Sequence, residues 1–274
     1  MNSPAPRSTI GVFDSGFGGL TVLKELVPLI PNADYLYFGD TARLPYGSKS
    51  VETVARYAVE ATHFLEGQGA NLLVIACNTA TALALDQITR AAQVPVVGVV
   101  EPGAEQAAAA SKNRRVVVIG TEATVSSHAY LKALERRGVE AREKACPLLV
   151  PLVEEGWVEH PVTEQVAEIY LRDAFGDGFH GADVLVLGCT HYPLIKPLLR
   201  RVAPPHVRIV DSAHSTAHAV AEKIRELYGK TAHDSPRQST LRFFATDSVE
   251  KFRRLGPTFL GHPVDPVEHV DLKE

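Results

Sequence analysis

Apolar residues in this chain fall into short unbroken runs, and the stretches between the runs are amphipathic. The runs are Ile10–Phe13, Tyr35–Phe38, Leu72–Ile75, Val96–Val99, Val116–Ile119, Val184–Leu187, Val207–Val210 and Leu241–Phe244. Unbroken rather than alternating apolarity predicts strands covered on both faces, as in a parallel sheet. Between them, Val51, Val54, Ala55, Ala58 and Leu65 recur at helical spacing, which predicts a helix capped by Ser50 and ended by Gly67 and Gly69. Ala213, Ala217, Val220, Ala221, Ile224 and Leu227 make a second stripe, closed by Gly229. The segment Lys230–Gln238 is polar and contains Pro236, and so predicts an exposed loop. Strand–helix alternation of this kind predicts an α/β fold of right-handed βαβ units. One eight-stranded barrel would fit the same count.

An internal repeat separates the two architectures. Residues 69–77 read GANLLVIAC and residues 181–189 read GADVLVLGC, with five of nine positions identical. Composition alone could repeat the apolar part of a buried strand. It would not also put a cysteine at the same end of both copies. A fainter echo relates Ile10–Ser15 to Val117–Glu122, each a strand leading into the start of a helix. Two similar α/β halves are expected, with the end of the chain returning to the first.

Composition narrows the function classes. A chain of 274 residues, 45% apolar and 22% charged, can build one large or two small domains and is neither disordered nor fibrous. No apolar run approaches the roughly 18 residues of a membrane span. The first ten residues lack the apolar segment of a secretory signal. A net charge of −4 argues against a nucleic-acid partner. Three well-separated cysteines do not form a disulfide framework, so a reducing compartment, the cytoplasm, is expected.

Ligands of open α/β sheets bind beyond the carboxyl ends of the strands. The segments there are Asp14-Ser15-Gly16-Phe17-Gly18-Gly19, Gly39–Arg43 with Pro45-Tyr46-Gly47, Cys77-Asn78-Thr79, Glu101-Pro102-Gly103, Cys189-Thr190-His191 and Asp211-Ser212. Helix starts at such loops offer free N–H groups to a carboxylate or phosphate. The glycine loop lacks the third glycine of G-x-G-x-x-G, so it is either a tight turn or an anion cradle, not a nucleotide fingerprint.

Cys77 and Cys189 carry the sharpest signal. One strand-end cysteine is most simply a small core hydrophobe. Two placed by a repeat suggest chemistry, with thiol pKa values expected to be lowered by helix N-termini. Asp14 and His191 are placed to hold or shuttle their protons. Two thiols on opposite faces of one molecule can remove a proton from carbon on one side and return one on the other, which inverts the centre. Zinc is not expected: there is no C-x-x-C and no H-E-x-x-H, and His214 and His218 have no glutamate between them. Cys146 has no partner in the repeat and is assigned a structural place.

The segments DSGFGGLTVLKEL, GDTARLPYGSKS, ACNTATA, GVVEPG, CPLLVPLVEEG, LGCTHYPL and DSA, together with FFATDSVEKFRRLGPTFLG, resemble those of the glutamate racemases, from about residue 9 to Gly261. The resemblance implies two pseudo-symmetric parallel-sheet sandwich domains with the active site in the cleft between them. They would comprise residues 1–98 plus 210–274, and residues 99–209. It implies cofactor-independent interconversion of L- and D-glutamate, supplying D-glutamate for bacterial peptidoglycan. Cys77 would serve the D-glutamate face and Cys189 the L-glutamate face, with Asp14 and His191 as their assistants and Glu154 a further group near the second thiol. Asp14, Ser15, Tyr46, Gly47, Asn78, Thr79, Thr190 and His191 would bind the substrate. No cofactor and no metal are implied, and the partners expected are glutamate and a second copy of the chain in a homodimer. Relatives activated by a cell-wall precursor carry a longer segment before the first strand, so that regulation is not expected here. Aspartate racemases are the nearest alternative; they typically have glutamate where His191 stands. A single-thiol lyase would not need the second cysteine, and a non-catalytic binding module would need neither.

Overall fold

The structure is a computed structural model that describes residues 8–229 and 239–272. The loop predicted at Lys230–Gln238 lies outside them. The chain begins with β1 (Thr9–Asp14), α1 (Leu20–Leu29), β2 (Asp34–Gly39), α2 (Val51–Gly67), β3 (Leu72–Ile75), α3 (Asn78–Ala91) and β4 (Val96–Gly98). There follow α4 (Val100–Ala110), β5 (Arg115–Gly120), α5 (Glu122–Ser126), α6 (Ala129–Glu135), β6 (Glu140–Ala145), α7 (Leu149–Glu154) and α8 (Pro161–Ala174). The remainder is β7 (Val184–Gly188), α9 (Lys196–Val202), β8 (Arg208–Asp211), α10 (Ser212–Tyr228), β9 (Leu241–Ala245), α11 (Val249–Leu260) and β10 (Val267–His269).

The strands form two parallel sheets, not a barrel. One has the order β10-β9-β2-β1-β3-β4 and the other β6-β5-β7-β8. The order 2-1-3-4 of the first half recurs in the second, so β3 and β7, which carry the sequence repeat, occupy equivalent places. Both are buried along their whole length, as their unbroken apolarity requires. Two strands have no apolar run to announce them. β6, the counterpart of β2, reads EAREKA because it is an edge strand and only half buried, whereas β2 is flanked by β9 and reads DYLYFG. β10 is a three-residue edge strand with only Val267 buried.

The crossing back to the first half also falls later than residue 210. Val210 and Asp211 pair with Val186 and Leu187 in the second sheet, where β8 is the counterpart of β4. The chain then runs through α10, which packs chiefly against α1 and next against α4, before adding β9 and β10 to the first sheet. Ser50 Oγ accepts the Thr53 N–H at the start of α2, as predicted, and Gly229, at φ +74°, closes α10. Two positions of the predicted stripes are outward: Val51 and Leu227 are exposed. One apolar core, including Val12 of β1, Leu187 of β7 and Val220 of α10, is continuous across both halves. A second lies on the other face of the first sheet and a third on the other face of the second. Among the described residues no helix is long and apolar enough to cross a membrane.

Candidate active site

The carboxyl ends of the two sheets face one cavity of about 400 Å³, of a size for a small molecule. Cys77 and Cys189 both line it, each only 5% exposed, one from the end of each repeated strand. Ser15, Tyr46, Gly47, Asn78, Thr79, Thr190, His191 and Glu154 line it as well, as do Thr121 and Lys251. Asp14 stands behind this wall, buried at the end of β1.

The surroundings of the two thiols differ. Cys77 is the N-cap of α3: its sulfur accepts the Ala80 N–H at 3.4 Å and donates to Ser15 Oγ at 3.6 Å. The expectation of a lowered thiol pKa fails here. Burial, and after it the charge of Asp14, outweigh the Ala80 and Ser15 hydrogen bonds and push the Cys77 thiol up to about 12. Asp14 is itself raised by burial, against the charge of His191 and the amides of its own loop. Its Oδ2 accepts the Gly16 N–H at 2.9 Å, and its Oδ1 is buried without a hydrogen-bond partner.

Cys189 faces a cation instead. Its sulfur lies 3.9 Å from His191 Nδ1, and His191 Nε2 lies 3.2 Å from Glu154 Oε1. Burial alone would lower the imidazole pKa, but the Cys189 and Glu154 hydrogen bonds, with the charges behind them, raise it to about 10. Glu154 is held below the usual range despite its burial, by His191 and by Lys251 Nζ, which donates to Oε2 at 3.0 Å. No α-helix starts directly after Cys189; a 3-10 turn at Tyr192–Ile195 intervenes before α9.

The binding residues divide by what they still have to offer. The Tyr46 phenol is buried and committed to Asp40 Oδ2 at 2.5 Å, so the 46–47 segment offers the cavity its backbone. Asn78 Oδ1 accepts the Tyr130 hydroxyl at 2.7 Å, which turns its amide nitrogen, 3.5 Å from Ser212 Oγ, into its available donor. Thr79 Oγ1 and Thr121 Oγ1 are 2.9 Å apart, a link from α3 to the end of β5 across the cleft. Thr21 Oγ1 donates to the Thr190 carbonyl at 3.1 Å, a second link between the halves.

The glycine loop is a close-approach device. A Cβ at Gly18 would stand 2.2 Å from Thr190 Oγ1 and 2.6 Å from His191 Nδ1; one at Gly19 would stand 2.5 Å from Asp14 Cβ. Thr121 and Lys251 are additions to the residues expected from sequence. Thr121 is the first position after β5, as Ser15 is after β1, but the fainter echo of the sequence runs one place out of step and aligns it with Asp14. Lys251 sits in a charged helix and carries no such signal. Cys146 lies outside the cavity; burial pushes its thiol up to about 12, and its backbone carbonyl accepts the Tyr192 hydroxyl at 2.9 Å. His214 and His218 are ring neighbours at 4.6 Å, with His214 Nδ1 3.1 Å from Glu25 Oε2 on the surface. No group of three or more His, Cys, Asp or Glu among the described residues is arranged to hold a metal ion.

Two parallel-sheet halves with a thiol from each at a common cavity define a racemase class, and the profile of the Asp/Glu/hydantoin racemase family matches residues 10–220. A curated glutamate racemase of Koribacter versatilis is 66% identical, over 97% of this chain and 98% of that protein. The crystal structure of a glutamate racemase isoform from Bacillus anthracis superposes with a TM-score of 0.90 at 36% identity, over 97% of this chain and 98% of that one. A glutamate racemase from Francisella tularensis, crystallised with D-glutamate, gives 0.88 at 35% identity over 97% and 98%. An aspartate racemase homologue from Pyrococcus horikoshii, at 21% identity and a TM-score of 0.57, shares the fold. The chain belongs to the Asp/Glu/hydantoin racemase family and, within it, to the glutamate racemases.

Proposed function

We propose that the cleft inverts glutamate at Cα by moving its proton between Cys77 and Cys189. The observation that carries this reading is the pair of repeat-related sulfurs lining one cavity, one beside an anion and one beside a cation. Cys77, raised by burial and Asp14, rests as a neutral thiol and is the proton donor when L-glutamate is bound. Cys189 takes the Cα proton from the L-glutamate face, and the His191 imidazolium is the electrostatic partner of its thiolate form. In the D-to-L direction the roles exchange: Cys77, its own proton passed to Asp14 nearby, takes the Cα proton, and the Cys189 thiol returns one from the opposite face. Atoms balance in both directions, since one proton leaves Cα and one returns.

The remaining groups hold the substrate so that Cα stays between the sulfurs, where proximity replaces a bimolecular encounter. Ser15, Asn78, Thr79, Thr121 and Thr190 present hydroxyl or amide groups, and the 46–47 backbone presents N–H groups, to two carboxylates and an ammonium. His191 rather than a carboxylate beside Cys189 favours glutamate over aspartate. The same proposal treats residues 1–98 with the chain after Asp211 as one domain and the segment between as the other. It places the protein in the cytoplasm as a homodimer supplying D-glutamate for cell-wall synthesis, with sedimentation as the check on pairing. Purified protein, without added cofactor, is incubated with each enantiomer of glutamate and of aspartate and followed by circular dichroism. Inversion of both glutamate enantiomers is expected; activity confined to aspartate, or dependent on pyridoxal phosphate, would overturn the proposal.

A further inference from the structure

The structure brings to the cleft a cationic group that the two-thiol chemistry leaves unused. Lys251 lies on α11, in the chain that follows β9 of the first sheet, yet its ammonium donates to Glu154 Oε2 at 3.0 Å, at the end of α7 in the second half. The next residue, Phe252, is fully buried, with its ring 5.5 Å from that of Phe17 and 5.8 Å from that of Tyr37. The Lys251 ammonium itself lies 5.3 Å from the Phe17 ring centroid, in cation–π contact. The base of the lysine is therefore fixed to the first half while its tip holds a carboxylate of the second.

Glu154 needs such a partner. It is the last residue of a short helix, where the backbone dipole opposes a negative charge, and its two oxygens are divided between two cations. Oε1 faces His191 Nε2 at 3.2 Å and Oε2 faces Lys251, so turning the carboxylate away from one breaks the geometry at the other. The charged groups bearing on Glu154 are His191, from the loop after β7, and Lys251, from α11. His191 in turn faces Cys189 on its own loop and Asp14 of the first half. With Lys251 40% and Glu154 18% exposed, an ion pair of this kind adds little to stability. Its consequence is orientation.

We propose that Lys251 is a positioning residue for the racemisation: holding Glu154 Oε2 from the opposite half, it fixes Oε1 on His191 and so keeps the imidazole against the Cys189 sulfur. The inference rests on the two-thiol reading. It adds that the relay serving Cys189 is complete only when the two halves are in register across the cleft, whereas the hydrogen bonds of Cys77, to Ser15 and Ala80, are made within the first half.

The test compares wild type with Lys251→Met and Lys251→Arg, each also in a Glu154→Gln background. The readouts are kcat and KM in both directions and the iodoacetamide alkylation rates of Cys77 and Cys189 by mass spectrometry. Because the enantiomers have equal free energy, kcat/KM must fall equally in the two directions. Lys251→Met is expected to lower kcat about tenfold with KM within twofold, and Lys251→Arg to restore most of it. The alkylation rate of Cys189 should change while that of Cys77 does not. In the Glu154→Gln background the Met substitution should add no further loss. A rise in KM alone would make Lys251 a substrate contact instead. Equal changes at both thiols, losses that multiply with Glu154→Gln, or unchanged kinetics would also overturn the proposal. A wild-type protein that fails to racemise glutamate would instead refute the two-thiol reading.

Discussion

Gly18→Ala separates the chemistry of the site from the stability of the fold. The added Cβ would stand 2.2 Å from Thr190 Oγ1 and 2.6 Å from His191 Nδ1, so by ordinary contact distances both groups must retreat by roughly 1 Å. His191 cannot retreat without loss. Its Nδ1 is already 3.9 Å from the Cys189 sulfur, its Nε2 is tied to Glu154, and its ring packs edge-on to Phe259 at 5.2 Å between centroids. Overpacking of this kind costs about 1–3 kcal/mol of stability. That is a fraction of the roughly 5–15 kcal/mol that holds a domain folded. The kinetic effect is larger, because a misplacement of about 1 Å at a reacting group can cost on the order of 100-fold in rate. Gly18→Ala should therefore remain folded, with a melting temperature lower by no more than about 10 °C, while kcat/KM for both glutamate enantiomers falls about 100-fold. Gly67→Ala is the control: beyond the local helix backbone and its chain neighbours nothing lies within 4 Å of its added Cβ at the end of α2, so activity should be unchanged and stability equal or slightly higher. Polarimetric or circular-dichroism assays with thermal melts decide the matter. Wild-type kcat/KM in folded Gly18→Ala would refute the claim that the glycine loop exists to let the halves meet at His191.

Two further outcomes follow from the charges around the thiols. His191 is raised to about 10 chiefly against burial, by Cys189 and Glu154, so the imidazolium persists below that pH and is lost above it. The rate should decline as pH rises through about 10, and Glu154→Gln, which removes a raising influence, should move that decline to lower pH; a limb that stays in place refutes the role given to Glu154. Cys146→Ala should retain wild-type kcat with a modest fall in melting temperature, since its thiol is buried away from the cavity; a large loss of kcat would mean the third cysteine takes part.

Much of this architecture was legible because buried parallel strands and repeated loops leave strong marks. The eight apolar runs became β1–β5 and β7–β9, and the GANLLVIAC and GADVLVLGC copies became β3 and β7 with their terminal thiols at one cavity. β6 left no such mark because an edge strand can be charged, and β10 because three residues carry no period. The point of return is not legible in the sequence because Val207–Val210 looks like any buried strand; only its pairing with β7 assigns it to the second sheet. At the site, residue types showed which groups meet but not what each environment does to them. A cysteine at a helix start ordinarily has a lowered pKa, yet at Cys77 burial and Asp14 prevail. Lys251 was invisible because its partner Glu154 is 97 positions away and in the other half.

The central claim is that each thiol serves one face of Cα. The direct measurement is deuterium incorporation at Cα in deuterated water by Cys77→Ser and Cys189→Ser, with each glutamate enantiomer supplied separately. Both variants should lose racemisation. Cys77→Ser should exchange the Cα proton of L-glutamate but not of D-glutamate, and Cys189→Ser the reverse. Exchange of both enantiomers by either variant, or racemisation surviving in one of them, would contradict the two-thiol account.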